Sequence, residues 1–432
     1  MEWLLYGAVL FSALGFYLWR HRRVQAAHAQ DLREAVEAGL VEPPSLHPVI
    51  DTARCIGSGS CVQACPEEAL GVVNGKAVLK NASACIGHGA CFAACPVDGI
   101  SLVFGTEKRG VDIPHLSAQF ETNVPGVFIA GELGGMGLVR KAAEQGRQAM
   151  DAIHQRLGHA ATPAGVLDVL IVGCGPAGLS AGLAALAHKR RYRIIEQEDS
   201  LGGAVYHYPR NKITMTAPVQ LALVGKVKFG EVSKEELLAF WADVVKKTGL
   251  KISYKERLLG LEKRADHYVV QTDRGEIATR TVLLAMGRRG TPRKLGVPGE
   301  ESPKVVYRLI DAEQYRGQKV LVVGGGDSAL EAAIALAEQP GTTVALSYRS
   351  AAFARVKAKN RERLDALRAE GRLQVLLQSQ VRQIEPAAVV IEADGTPRTL
   401  PNDAVIVCAG GELPTPLLQK IGIRFETKFG TR

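Results

Sequence analysis

The pattern of hydrophobic and polar positions changes character several times along the chain. Trp3 to Trp19 is an apolar run of 17 residues without a charge, closed by Arg20, His21, Arg22 and Arg23. At ~1.5 Å per residue it spans roughly 25 Å, the short end for a membrane helix. Trp3, Tyr17 and Trp19 stand where interfacial aromatics belong. Glu2 precedes the run and the positive charge follows it, which predicts an uncleaved single-pass anchor with the rest of the chain cytoplasmic. A cleaved signal peptide, with Ala27-His28-Ala29 as its cleavage site, would carry its positive charge before the apolar stretch. Val24 to Leu40 is polar and helix-favouring, ends at Glu42-Pro43-Pro44, and reads as a stalk.

Two later segments show a different pattern, a short apolar strand running into glycines and then a helix. Val169 to Val172 opens onto Gly173, Gly175 and Gly178, with Pro176 and Ala177 starting an Ala/Leu-rich helix, and the next strand, Tyr192 to Ile195, ends on Glu196. Strand, glycine turn, helix, strand and acid in that order predict a dinucleotide site. The glycines allow the tight turn and close approach to a pyrophosphate, the helix N-terminus receives the phosphates, and Glu196 bonds the ribose. Lys319 to Ala333 repeats the pattern with Gly324, Gly326 and Ala329, where Asp327 and Ser328 are expected to shape the turn and cap the helix. Its next strand, Val344 to Ser347, ends in Tyr348-Arg349 with no acid, and Arg355 and Lys357 follow. Arg349 and Arg355 suit a 2′-phosphate, so the second site is expected to take NADPH, with NADH the alternative.

The net charge of +9 over 432 residues is spread, and no basic patch is interleaved with aromatics, which argues for anionic cofactors and against nucleic acid. Six of the eight cysteines fall into two short clusters, which points to metal in a reducing cytosol. The segments RCIGSGSCVQACPEEAL and ACIGHGACFAACPVDGI repeat with a 30-residue period, placing Cys55, Cys61 and Cys65-Pro66 against Cys85, Cys91 and Cys95-Pro96. This resembles the bacterial two-cluster ferredoxins, with Ser58 and His88 standing at each run's second cysteine. The resemblance implies one cluster on Cys55, Cys61 and Cys95 and another on Cys85, Cys91 and Cys65. Three cysteines suit [3Fe–4S]; Ser58 and His88 as ligands of a labile fourth iron suit [4Fe–4S], the preferred reading. A zinc site or a ferredoxin fold without clusters are the blander alternatives.

Thr122-Asn123-Val124-Pro125-Gly126-Val127-Phe128-Ile129-Ala130-Gly131-Glu132 resembles the last strand of thioredoxin-reductase-like flavoproteins. In that family the segment and its helix lie at the C-terminus and its acid bonds the FAD ribityl chain. Here the segment precedes the FAD strand, and nothing like it follows Gly411. The resemblance therefore implies a circular permutation joined through Gly158 to Gly165, with Gly131 and Glu132 completing the FAD site. Gly202-Gly203 fits a loop near the flavin. His207-Tyr208-Pro209-Arg210 through Met215-Thr216-Ala217-Pro218 resembles the bacillithiol-disulfide-reductase-like and ferredoxin–NADP-reductase-like branch, where an aromatic stacks on the flavin or packs in the core. The redox CxxC of thioredoxin reductases is missing, because no cysteine lies between Cys174 and Cys408, and both of those read as core.

The expected fold class is α/β: two Rossmann-like three-layer domains for FAD and NADPH, a small α+β ferredoxin domain, and an N-terminal transmembrane helix. The expected boundaries are 1–23 anchor, 24–49 stalk, 50–104 ferredoxin, 105–158 permuted FAD segment, 166–287 FAD, 288–411 NAD(P)H, and 412–432 a tail returning to the FAD domain. The expected protein is an FAD-dependent NAD(P)H oxidoreductase of the inner membrane, exchanging electrons between NADPH, FAD, two Fe–S clusters and a small-molecule or redox-protein acceptor. No protein acid or base is assigned, because hydride transfer to flavin requires none. A homodimer is compatible with this reading. The competing readings are a flavin-dependent disulfide reductase and a membrane-tethered redox sensor.

Overall fold

The strand Leu167–Val172 alternates its side chains between two buried faces, Val169 and Ile171 to one and Leu170 and Val172 to the other. A strand buried on both sides belongs in the middle of a three-layer domain. In the computed structural model its seven-stranded sheet runs in the order Ile252–Ser253, Tyr192–Ile195, Leu167–Val172, Gly275–Leu284, Tyr268–Thr272, Leu258–Lys263. The seventh strand is Val127–Ile129, parallel to the end of Gly275–Leu284 with Val127 opposite Val282 and Ile129 opposite Leu284. It alternates in phase with its neighbours, Phe128 to one core and Val127 and Ile129 to the other. The structure describes all residues except 1, 38–42, 44–45, 86, 88, 108–109, 136, 209–212, 216–218, 228–230, 289–291, 354–355, 357, 394, 413 and 431–432, and the side chains of 2–5, 7–10, 213–215, 231 and 358.

The helix Val139–Leu157 follows that seventh strand and lies along Pro176–Ala187, the helix of the first glycine turn. Its buried residues, Ala142, Ala143, Gly146, Ala149, Met150, Ile153 and Leu157, form one apolar stripe at helical spacing. The segment 158–165 then crosses to the central strand and is tied down there. Thr162 donates to the Asp168 carboxylate, Arg191 donates to the Thr162 carbonyl, and Arg280 Nη1 donates to the Ala160 carbonyl at 3.2 Å. At the other end of the segment, Val111–Pro114 pairs antiparallel with Phe425–Lys428, Phe425 opposite Pro114 and Lys428 opposite Val111.

The second large sheet is all parallel, in the order Val305–Val306, Ala404–Val407, Lys319–Val323, Thr343–Ser347, Leu373–Leu376. Asp327–Ala337 and Ala358–Ala369 cover one face, and the antiparallel strands Ser379–Glu385, Ala388–Ala393 and Thr396–Pro401 cover the other.

The cysteine repeat is a repeat in space. Each run forms a loop into a one-turn helix, Ser60–Gln63 and Ala90–Ala93, whose preceding residues Gly59 and Gly89 are both left-handed. Leu70–Val73 pairs with Lys76–Leu79, and His47–Ile50 pairs with Ile100–Val103.

The expected transmembrane helix is not supported. The apolar run does not stop at its basic flank but forms the first half of one helix, Glu2–Glu37, and among the described residues no helix is long and apolar enough to cross a membrane. Its second half is docked rather than a free stalk. Gln25 Oε1 accepts from Gly75 N at 3.2 Å, the His28 ring bonds the Val72 amide at 3.1 Å, and Asp31 pairs with Lys80. Hydropathy reads the apolar half, but these polar contacts are tertiary and leave no local signature.

Candidate functional site

The two glycine turns open onto one cavity of about 1650 Å³, lined by Gly173, Gly175, Pro176, Ala177 and Glu196 on one side and Gly324, Gly326, Asp327, Ser328 and Arg349 on the other. A pocket for one small ligand is typically roughly 300–1,000 Å³, so this space suits two dinucleotides meeting. Neither Pro176–Ala187 nor Asp327–Ala337 has a side-chain cap, and the residues at both helix starts lie in the cavity wall. Helix starts of this kind, aimed into a cavity, suit an outside acceptor such as a pyrophosphate. The expectation that Asp327 caps its helix is corrected: Gly326 holds the cap position and Asp327 Oδ1 instead accepts from Asn360 at 2.8 Å. Ala329 is fully buried one turn in, against the Gly324 turn.

At the first turn Gly173 has φ +102°, and a Cβ there would meet the Ala285 carbonyl at 2.6 Å. A Cβ on Gly178 would meet the Gly173 carbonyl at 1.9 Å, so strand and helix approach only without side chains. Glu196 is buried at the end of its strand, accepting from Cys174 N at 2.8 Å and Glu198 N at 3.1 Å. Each carboxylate oxygen keeps a second lone pair for a ribose hydroxyl. Gly202 and Gly203 fold back over Gly175, where a Cβ on Gly203 would lie 3.0 Å from Gly175 Cα.

The segment upstream of Leu167–Val172 supplies the remaining wall. Gly131 (φ +85°, ψ −151°) occupies a region open essentially to glycine, and its amide donates to Gln145 Oε1 at 2.9 Å. Glu132, Gly137, Val139 and Ala142 line the same cavity as Gly173. Arg288, just past the hinge strand, faces Glu132 and donates from Nη2 to the Asp112 carbonyl at 2.9 Å; burial pulls its guanidinium below the usual arginine range, against the pull of Glu132. His207 and Tyr208 also line the cavity, and His207 pairs with Arg308 of the second nucleotide domain. Sequence reasoning missed Arg288 and Arg308, which belong to no motif. Pro209, Arg210, Thr216, Ala217, Pro218, Arg355 and Lys357 lie outside the described residues.

Cys174 is fully buried with its thiol donating to the Ser200 carbonyl at 3.6 Å, and burial, with Glu196 beside it, pushes its pKa well up. Burial likewise pushes the Cys408 thiol up to about 12. Cys174 is thus a core residue, whereas Cys408 is half-buried and lines the cavity.

Cys65, Cys85 and Cys91 line one small cavity together with Pro66, Gly87, Gly89 and Leu102. Cys61 has Cys55 and Cys95 as thiol neighbours, and Cys91 of the first set also lies within electrostatic reach of it. The two sets are crossed between the repeats, as the ferredoxin resemblance implies. Backbone amides point at the sulfurs, Ala77 N to Cys55 Sγ at 3.4 Å and Gly99 N to Cys95 Sγ at 3.2 Å. Burial, followed by Cys85 and Cys65, pushes Cys91 up to about 11, and burial raises Cys61 and Cys85 also. Cysteine ligands give up their protons on binding metal. Among the described residues no three His, Cys, Asp or Glu side chains converge on a single-ion point. Ser58 is exposed with its hydroxyl donating to Ser60 Oγ at 3.3 Å, and His88 lies outside the described residues.

One element joins the two kinds of site. Val139 and Ala142 face the flavin-side cavity, and Lys141, half-buried on the same helical turn, faces the ferredoxin domain. Its Nζ lies 3.5 Å from where a Gly89 Cβ would stand. Burial and Arg140 pull its ammonium down while Cys91 pulls it up.

Residues 170–430 match the family model described as pyridine nucleotide-disulphide oxidoreductase, and 47–96 match the 4Fe-4S dicluster domain. The chain is 31% identical over 254 residues to a ferredoxin–NADP reductase of Ignicoccus hospitalis, covering 57% of this chain and 78% of that relative. It is 31% identical over 255 residues to the ferredoxin–NADP reductase of Thermus thermophilus, covering 56% and 72%. Among solved structures it is similar to a bacillithiol disulfide reductase of Staphylococcus aureus, with 26% identity, a TM-score of 0.52, and 59% and 80% of the two chains covered. The first family match starts after Val127–Ile129 and Val139–Leu157, which the fold returns to the same sheet.

Proposed function

The chain belongs to the pyridine nucleotide-disulphide oxidoreductases and carries a 4Fe-4S dicluster domain; on that premise we propose that it is an NADPH oxidoreductase exchanging electrons between NADPH and a one-electron acceptor through FAD and its own Fe–S clusters. The single observation that carries this is the turn Val139–Ala142, which faces the flavin-side cavity on one side and the thiols of the cluster domain on the other. A bound flavin takes the hydride pair and releases it as single electrons, which Fe–S clusters accept. The chain's own part is to hold and orient. Gly173, Gly175, Gly178, Gly202 and Gly203 make room for the FAD pyrophosphate; Pro176 and Ala177 open the helix end it rests on. Glu196 takes the ribose, and Gly131 and Glu132 take the ribityl side.

Gly324, Gly326, Asp327, Ser328 and Ala329 form the corresponding cradle for NADPH, and Arg349 meets its 2′-phosphate. Charge-assisted hydrogen bonds of this kind contribute about 1.5–3 kcal/mol. Arg349→Ala is therefore expected to raise the KM for NADPH about 10- to 100-fold while leaving that for NADH nearly unchanged, measured with an artificial electron acceptor. Both cluster cages are assigned the 4Fe type with labile fourth positions at Ser58 and His88.

The disulfide-reductase reading needs an attacking thiol near the flavin. Cys174 is the one cysteine close to the flavin turn in sequence, and it is sealed in that turn as a neutral thiol. Cys174→Ala is expected to keep NADPH-driven turnover within about twofold of the wild type. A loss greater than tenfold, with flavin content unchanged, would favour disulfide reduction instead.

A further inference from the structure

The two cages are not equivalent with respect to the flavin pocket. Gly89, in the wall of the cavity lined by Cys65, Cys85 and Cys91, meets the first turn of Val139–Leu157 at Lys141, and Cys91 is the thiol that acts on that lysine. A helix with its side chains is roughly 10 Å across. Residues 139 and 142 share a face three positions apart, and residue 141 projects from a different one. Lys141 thus leans over the left-handed loop residue Gly89 beside Cys91, half-buried, while Val139 and Ala142 contact the flavin-side cavity. Lys76 Nζ, the cation nearest the other cage by hydrogen bonding, is tied at 2.7 Å to the Cys55 carbonyl and belongs to the ferredoxin domain itself.

We propose that Lys141 is a positioning residue that makes the Cys65/Cys85/Cys91 cage the entry point for electrons from the flavin side, leaving the Cys55/Cys61/Cys95 cage as the exit. This rests on the electron-transfer function proposed above. Oxidation of one NADPH to NADP+ and a proton supplies two electrons, one for each cage. A fixed positive charge beside a cage favours its reduced, more negative form, and a partly buried charge is weakly screened by salt. The lysine belongs to the flavoprotein and the thiols to the ferredoxin domain, so the charge biases the near cage only when the two are docked.

The test is a redox titration of the full-length holoprotein followed by EPR, comparing wild type, Lys141→Met, Lys141→Gln and Lys141→Arg. The neutral variants are expected to lower the midpoint of one cluster by about 59 mV, a tenfold change in its equilibrium constant. The flavin and the other cluster should stay put, and arginine should restore the wild-type value. NADPH-driven bleaching of the shifted cluster should slow about tenfold. Repeating the titration in Cys61→Ser, which keeps the Cys65/Cys85/Cys91 cage, should still show the shift. Midpoints that stay unchanged, or move equally in both clusters, would overturn the role of Lys141 even if wild-type protein passes electrons from NADPH to the clusters. A wild type in which NADPH never reduces either cluster would instead remove the function on which the inference rests.

Discussion

Gly146→Val is expected to release the flavin while leaving the Fe–S domain intact. Gly146 sits mid-way along Val139–Leu157, at its crossing with Pro176–Ala187, and a Cβ there would meet the Ala177 carbonyl oxygen at 2.0 Å, its carbon at 2.7 Å and its Cα at 2.9 Å. All three are backbone atoms of the first turn that receives the pyrophosphate, so no rotamer change relieves the clash. Overpacking of this kind costs typically about 1–3 kcal/mol, and valine adds branching to the same crossing. The affected helix lies outside the family match at 170–430, so the experiment asks whether the upstream segment is part of the flavin domain. Flavin released on gel filtration, with Fe–S absorbance kept, is the expected outcome; full flavin retention would contradict the permuted packing.

Cysteine replacement has an equally large expected effect, and its pattern is diagnostic. The buried core of the ferredoxin domain is thin, formed by Cys61, Leu70, Ala77, Cys91 and Ile100. A domain of this size gains much of its stability from bound metal. Cys85→Ser and Cys65→Ser should each remove the same EPR signal, and the double variant should lose no more than either alone. Cys85→Ser combined with Cys95→Ser should remove both signals, because these residues serve different cages although they lie in one sequence run. Non-additivity within a cage and additivity between cages is the expected signature. The opposite pairing, by sequence run, would show that the cages are not crossed between repeats.

Much of the nucleotide chemistry is legible in the sequence because it is local. Strand, turn and helix around Gly173 and Gly324 are each specified within about 30 residues, and only glycine tolerates the backbone they require. The upstream strand Val127–Ile129 is legible for the same reason, since Val124-Pro125-Gly126 and Gly131 mark a turn, a buried strand and a special φ in sequence order. What is not legible depends on contacts between distant residues. The apolar run Trp3–Trp19 looks like a span because hydropathy averages over neighbours, whereas the His28 and Asp31 contacts that dock the same helix come from Val72 and Lys80. Arg288 and Lys141 sit in no motif, and each acquires its role from a partner, Glu132 or Cys91, brought up by the fold. Asp327 follows a glycine as a cap residue would, yet the helix starts one residue earlier and frees it for Asn360.

On the proposed function, one chain carries electrons between NADPH and its own clusters. Anaerobic stopped-flow mixing of the holoprotein with NADPH tests it most directly, with flavin and Fe–S absorbance followed together. Flavin bleaching followed by bleaching of the Fe–S absorbance within the same turnover, at a rate independent of protein concentration, is the expected result. Flavin that bleaches while the Fe–S absorbance stays oxidised would contradict it.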